Sequence, residues 1–159
     1  MSGIDYTPLQ QSLEAENWRK ADKLTLEIIL RLANREEAGS LNVESVEKLP
    51  CAELRKINEL WLKHSDDLYG FTVQKRIWER VNCKTVDDEI WTDFGWCVGW
   101  CGNDRKWLPY EEIGSSVFPP IGHFPVASRG YLTLDLDTGG KVFIALMEKL
   151  EECSRANFN

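Results

Sequence analysis

Histidine is scarce in this chain: His64 and His123 are the only two in 159 residues. A serine or cysteine nucleophile usually needs a histidine base beside it, so that chemistry has little to work with. G-x-S-x-G, a phosphate-cradling glycine loop and H-E-x-x-H are all missing. No apolar run approaches the roughly 20 residues that span a bilayer. The opening Met-Ser-Gly-Ile-Asp-Tyr has no charged-then-apolar leader pattern. Positive charge is in deficit, with 19 Lys and Arg against 26 Asp and Glu, a net charge of −7 and a pI near 4.9. That excludes a basic stripe for nucleic acid and a polybasic membrane anchor. The five cysteines, at 51, 83, 97, 101 and 153, are scattered. The nearest pair, Cys97 and Cys101, lacks the two-residue spacing of zinc knuckles and redox motifs. The expectation is a soluble intracellular protein with free, mostly buried thiols and no metal held directly by the chain.

Helical periodicity fills the first half. Thr7-Pro8-Leu9-Gln10 predicts an N-cap, a proline in the first turn and a capping-box glutamine. From Trp18, apolar residues at Ala21, Leu24, Ile28 and Leu32 predict a longer amphipathic helix. Asn42 is a cap for a short helix, and Pro50 starts the next, with Leu54, Ile57, Leu60 and Trp61 on one face. Phe71 to Val81 reads as helix, and Thr85 to Asp88 as the start of another through Cys97. The last helix is expected over 140–153. The fold class is all-α, in one domain over residues 1–159.

What is abundant is tryptophan, with seven residues, six of them between Trp61 and Trp107. From Val98 to Gly140 the chain turns rich in Gly, Pro, Ser and aromatics. This late loop is too long for an ordinary connection and too apolar for a disordered linker. A structured, function-bearing loop with short helical turns is expected. Within it, Leu132 to Leu136 alternates like a strand. Large loop aromatics pack under the loop or face a ligand, so a cleft for a flat aromatic molecule is one reading. A surface for a protein partner is the other. Basic residues such as Lys75, Arg76 and Arg129 would suit carboxylates at a ligand's edge. His64 reads as a solvated helix-end residue. His123 has a hydrogen-bonded structural role as its plainer reading. No catalytic residue is assigned.

The residues then say more than their spacing. Leu54-Arg55-Lys56-Ile57-Asn58-Glu59-Leu60-Trp61, His64-Ser65, and Tyr69-Gly70-Phe71-Thr72-Val73-Gln74-Lys75-Arg76-Ile77-Trp78 together resemble the signature of the "genomes uncoupled" (GUN4-like) tetrapyrrole-binding regulators. Trp18 to Asp22, Leu49-Pro50-Cys51, Lys106-Trp107 and Gly122-His123-Phe124-Pro125 are similar to further elements of that pattern. The resemblance covers about residues 6–126, followed by a divergent loop at 127–139. Two positions depart from it: Leu68 and Ile121 stand where the family pattern carries arginine.

The resemblance implies an all-helical, cupped-hand domain that binds protoporphyrin IX, Mg-protoporphyrin IX or a linear bilin and catalyses nothing itself. It implies stimulation of magnesium chelatase, on the route to chlorophyll, through that enzyme's large porphyrin-binding subunit. It places the protein in a phototroph's cytoplasm or plastid stroma, with membrane contact peripheral at most. Carried over, Tyr69, Phe71 and Val73 would line the cleft from the motif side, and Phe71 and Val73 read equally well as core. Trp100, Trp107, Phe118 and Phe124 would line it from the loop. Arg129, with Lys75 or Arg76, would form the propionate rim. His123 is a candidate contact to the pigment or its magnesium. Gln74 would fix the loop by hydrogen bonds. The alternative is a helical interaction module whose cleft takes a protein segment without pigment.

Overall fold

Asparagine and aspartate caps set three of the α-helix starts among the described residues. The structure, a computed structural model, describes residues 3–82, 86–113, 118–129 and 136–156. Asn17 accepts from the Lys20 N–H and opens α2 (Trp18–Leu32), while Asn42 and Ser45 form a reciprocal capping box on α3 (Val43–Glu47). Asp87 accepts from the Ile90 N–H at 2.9 Å and opens α6 (Asp88–Cys97). Such caps satisfy amides that have no partner inside the helix. Extended Pro50 precedes α4 (Cys51–His64), and Gly70, at φ +144, precedes α5 (Phe71–Val81). The expected cap at Thr7 is not there. Helix α1 (Thr7–Glu14) already includes Thr7, Tyr6 occupies the cap position, and the Thr7 N–H donates to Asp5 Oδ1 at 3.0 Å. The closing helix α7 (Lys141–Ala156) begins one residue later than expected and runs three further.

The fold is all-α, as the periodicity predicts. Among the described residues there is no strand, only an isolated antiparallel bridge between Cys101 and Trp107. The strand-like alternation at 132–136 falls almost wholly on 130–135, outside the described residues. Leu136 itself starts a π-helical turn, Leu136–Gly140. Late in the loop a 3-10 turn, Val126–Arg129, packs on both α2 and α7.

The aromatics divide into two groups. Around Trp61, Trp18 (centroids 6.2 Å apart) and Phe124 (5.9 Å) stack, and Tyr69 meets Phe124 edge-on at 5.3 Å. The second group joins α5, α6 and α7 through Trp78, Trp91, Phe94, Trp100 and Phe143, with Phe94 and Phe143 only 4.7 Å apart. Such pairs add about 0.5–1.5 kcal/mol each beyond the area they bury. Indole N–H groups inside the core need acceptors. Trp61 Nε1 donates to Thr25 Oγ1 at 2.9 Å, and Trp100 Nε1 to the His123 carbonyl at 2.9 Å.

The thiols correct an expectation. Cys51 and Cys153 are not free: they form a disulfide with a Cα–Cα distance of 5.4 Å across 102 residues of sequence. The bond ties the first turn of α4 to the last turns of α7. Spacing could not reveal it, because the helices meet only in the folded chain. Cys97 is an exposed thiol and Cys101 a buried one, neither in a disulfide, and Cys83 lies outside the described residues. Closing a loop of that length restricts the unfolded chain strongly. We predict that Cys153→Ser, or a reducing agent, lowers unfolding free energy by about 2–5 kcal/mol. Urea titrations with and without dithiothreitol check it, and an unchanged midpoint would count against a formed bridge.

Candidate functional site

The late loop is held to the helical core by buried polar groups. Gly122 N–H donates to the Leu68 carbonyl at 2.8 Å, and Gly70 N–H to the Phe124 carbonyl at 3.0 Å. The turn before α5 and the loop therefore run side by side. Gly122 sits at φ +82, and a Cβ there would come within 2.6 Å of Ile77 Cδ1, so only glycine fits. Gln74, fully buried on α5, donates from Nε2 to the carbonyls of Gly122 (3.0 Å) and Pro125 (2.9 Å). This is the loop-fixing role expected of it. Nδ1 of His123 lies 2.7 Å from the Val98 carbonyl and donates to it. Burial pushes this imidazole below its ordinary pKa, against the opposing pull of the Val98 carbonyl.

On the α2 side, the Asp22 carboxylate is 2% exposed. It accepts from the Ala127 N–H at 2.9 Å and from the Tyr110 hydroxyl at 2.8 Å. One side chain thus pins two separate points of the loop. The resulting seam between α2 and the loop holds two openings. The far cleft, about 300 Å³, is walled by Leu26, Leu30, Tyr110, Val126 and Ala127, with Lys23 and Glu27 at its mouth. Arg19 lies over the Tyr110 ring, 5.9 Å from its centroid. The near hollow, about 290 Å³, lies between Trp18, Tyr69, Leu68, Phe118 and Pro119, with Glu16, His64 and Asp66 on its border.

The expected site residues are spread over several places. Tyr69 and Phe118 meet at the near hollow, where Phe118 is 87% exposed and Tyr69 is nearly covered. Phe71, Val73, Trp100, Phe124 and His123 are buried and line neither opening. Trp107 stacks on Trp91 at 5.2 Å and presses on Gly95, on the α6 side of the loop. Lys75 and Arg76 line a different groove, about 370 Å³, between α4, α5 and α7. There Lys75 pairs with Glu151 at 2.7 Å and Glu79 at 3.1 Å. Arg129 ends the 3-10 turn that borders the far cleft, and its side chain lies outside the described ones. The sequence reading missed Asp22, Arg19, Lys23, Leu26 and Tyr110. The polar residue at Asp22, on a stripe otherwise facing inward, was the available signal.

Two outcomes follow from this geometry. Asp22→Ala leaves the Ala127 amide without its acceptor, so stability should fall by about 2–3 kcal/mol. Limited proteolysis should then cut the late loop faster; equal cutting rates would contradict the clamp. For His123, the unfolded chain binds a proton near its ordinary pKa while the folded chain binds it only at lower pH. Folding is therefore weakened as pH drops from about 7 to about 5. Urea midpoints across that range should fall more steeply for the natural chain than for His123→Asn, and parallel curves would refute it.

Comparison with known proteins places this arrangement. A family model described as GUN4-like matches residues 1–135. A Synechocystis sp. "Ycf53-like protein" is 35% identical over 130 residues, which is 80% of this chain and 53% of that protein. The Arabidopsis thaliana "Tetrapyrrole-binding protein, chloroplastic" is 31% identical over 134 residues, 76% of this chain and 47% of that protein. The chain therefore spans about half the length of these curated relatives. Among solved structures, GUN4 from Chlamydomonas reinhardtii superposes with a TM-score of 0.70 at 28% identity, covering 92% of this chain and 89% of the other. Ligand-free GUN4 from Arabidopsis thaliana gives 0.73 at 22% identity, covering 93% and 99%, and this likeness speaks for the fold. With the family model covering most of its length and the same helical architecture beneath it, the chain belongs to the GUN4-like family.

Proposed function

We propose that this chain binds a tetrapyrrole in the seam between α2 and the late loop, as a non-enzymatic regulator. The observation that carries the reading is the far cleft. It is an apolar opening of about 300 Å³, in a chain of the GUN4-like family, with a relative named as tetrapyrrole-binding. Its volume is at the small end for ligand sites, so it receives part of a macrocycle while the rest extends along the seam. Tyr110, Leu26 and Val126 supply the flat apolar contact, and Phe118 and Tyr69 extend it at the near end. Phe71, Val73, Trp100, Phe124 and His123 back these walls. Arg19, Lys23 and Arg129 are the carboxylate partners, in place of Lys75 and Arg76, which face the other groove. Protoporphyrin, its magnesium complex and a linear bilin are the ligands to compare.

The regulated enzyme in this proposal is magnesium chelatase, met through its large porphyrin-binding subunit, in the cytoplasm or plastid stroma of a phototroph. Among the described residues no helix is long and apolar enough to cross a membrane. Exposed Phe118 and Ile121 favour a second reading, a docking surface for protein without pigment.

A titration followed by tryptophan fluorescence and pigment absorbance separates the two. Saturable one-to-one quenching is expected, with Trp18, Trp61 and Trp107 within reach of energy transfer. Leu26→Trp fills the far cleft and should weaken binding at least about tenfold, equivalent to roughly 1.4 kcal/mol. Absence of saturable change with all three pigments at about 10 μM, where useful affinity would register, overturns the pigment reading. Magnesium insertion by reconstituted chelatase should accelerate when pigment-loaded chain is added; an unchanged rate would remove the chelatase part alone.

A further inference from the structure

The groove between α4, α5 and α7 holds the disulfide, away from the seam. Cys51 and Cys153 both line this groove of about 370 Å³. Cys153 is 6% exposed, whereas Cys51 is only partly covered. The bridge therefore sits in the wall of an opening rather than deep in the core. Bridges open to solvent are the ones that exchange with outside thiols.

Charge around the groove favours a thiolate at Cys51. This residue is in the first turn of α4, where unpaired backbone amides stabilise negative charge. Arg55 follows one turn later and lines the same groove, as do Lys75 and Arg76 from α5. Glu79 and Glu151 line it too, and both are paired with Lys75, at 3.1 and 2.7 Å. Glu53, in the same turn as Cys51, lies off the groove and accepts from the Tyr6 hydroxyl.

The geometry also decides which thiol can open the bridge. A reagent thiolate attacks the more open sulfur, that of Cys51. A bond forms between the two, the Cys51–Cys153 bond breaks, and Cys153 leaves as a thiolate that takes a proton from water. With a monothiol, Cys153 stays beside the mixed disulfide, its Cα 5.4 Å from that of Cys51 in the closed bridge, and closes it again. With a dithiol, the second thiol gives up its proton and attacks the reagent's first sulfur instead. The reagent leaves as its own disulfide, and Cys51 departs as the thiolate that the α4 N-terminus stabilises. Two electrons and two protons pass from the dithiol to the bridge.

The structure assigns Cys51–Cys153 as a thiol–disulfide exchange site whose co-substrate is an acidic protein dithiol of the C-x-x-C kind, met at this groove. Arg55 and Arg76 give such a protein a contact that a small neutral dithiol does not use. The site stands whatever the seam binds. Opening the bridge leaves a folded chain, because the aromatic groups and the apolar face of α7 (Val142, Leu146, Leu150) are packed without it. What it releases is the last turn of α7.

The test follows the oxidised natural chain in native buffer, by differential alkylation and mass spectrometry of the Cys51 and Cys153 peptides. Reduced thioredoxin, dithiothreitol and glutathione are compared at equal thiol concentration. The expected rate with thioredoxin is at least about tenfold above dithiothreitol and rises with thioredoxin concentration, while glutathione leaves the bridge closed. Far-UV circular dichroism should stay helical after reduction. In Arg55→Gln/Arg76→Gln the thioredoxin rate should drop at least about threefold at low salt. A rate independent of thioredoxin concentration overturns the inference, since the bridge then opens only when the chain unfolds. Loss of the helical signal on reduction also overturns it, the bridge then being a structural staple, and so does an equal rate with glutathione. An unchanged rate in the double variant removes the groove as the meeting point.

Discussion

The buried carboxylate of Asp22 is the interaction on which the seam depends. A loop of some forty residues with only short helical turns has many backbone groups to satisfy, and leaving them unpaired inside a fold is costly. Asp22 meets the problem from α2, Gln74 meets it from α5, and the paired backbones at Leu68–Gly70 and Gly122–Phe124 meet it between them. Because these partners sit on two helices and on the turn between α4 and α5, the loop is spread across the bundle rather than folded on itself. The openings along α2 are the space left between such anchors. The far cleft's walls are apolar because the carboxylate and hydroxyl beside it, of Asp22 and Tyr110, are engaged with each other and with the Ala127 amide.

The aromatic residues then divide the work. Trp61, Trp18, Tyr69 and Phe124 fill the space under the near end of the loop. Trp78, Trp91, Phe94, Trp100 and Phe143 fill the space beneath α6 and α7. His123 lies between the groups: its ring meets Phe124 edge-on at 4.8 Å, and its carbonyl accepts from Trp100. This short stretch touches both groups. Most of the tryptophan surface is committed to packing. The aromatic rings that line the two openings are fewer and lie at the edges, at Tyr110, Trp18, Tyr69 and Phe118.

How much of this was legible in the sequence varies with distance along the chain. The helices were, because caps and apolar stripes are local: Asn42 before α3 and the Leu54–Trp61 face were read directly, while the start of α6 was read as a box over Thr85 to Asp88 and the cap is Asp87. The loop-fixing role of Gln74 came through the resemblance of its motif, since its partners are 48 and 51 residues away. The Asp22 clamp, across 105 residues to Ala127, shows locally only as a polar residue on the inward stripe of α2, which does not name its partner. Lys75 and Arg76 were misleading for a geometric reason. On α5 they directly follow Gln74, and a helix turns about 100° per residue, so the neighbours of a loop-facing residue face elsewhere. Loop aromatics were ambiguous because a tryptophan beneath a loop and one beside a ligand have the same sequence context; Trp100 and Phe118 ended in opposite environments.

Helix α7 adds a constraint of another kind. It lies past the residues matched by the family model, which end at 135, yet it supplies Phe143 to the second aromatic group and Cys153 to the disulfide. It also touches the 3-10 turn that borders the far cleft. The bridge to Cys51 and the Lys75–Glu151 pair hold its C-terminal half against α4 and α5. The covalent tie outweighs the ion pair, since an exposed pair is worth about 0–1 kcal/mol. The loop is thus gripped from two sides, by α2 through Asp22 and by α7 through apolar packing. The α2 side holds the far cleft and the near hollow, with Arg19 and Lys23 at one end and Leu68 and Phe118 at the other.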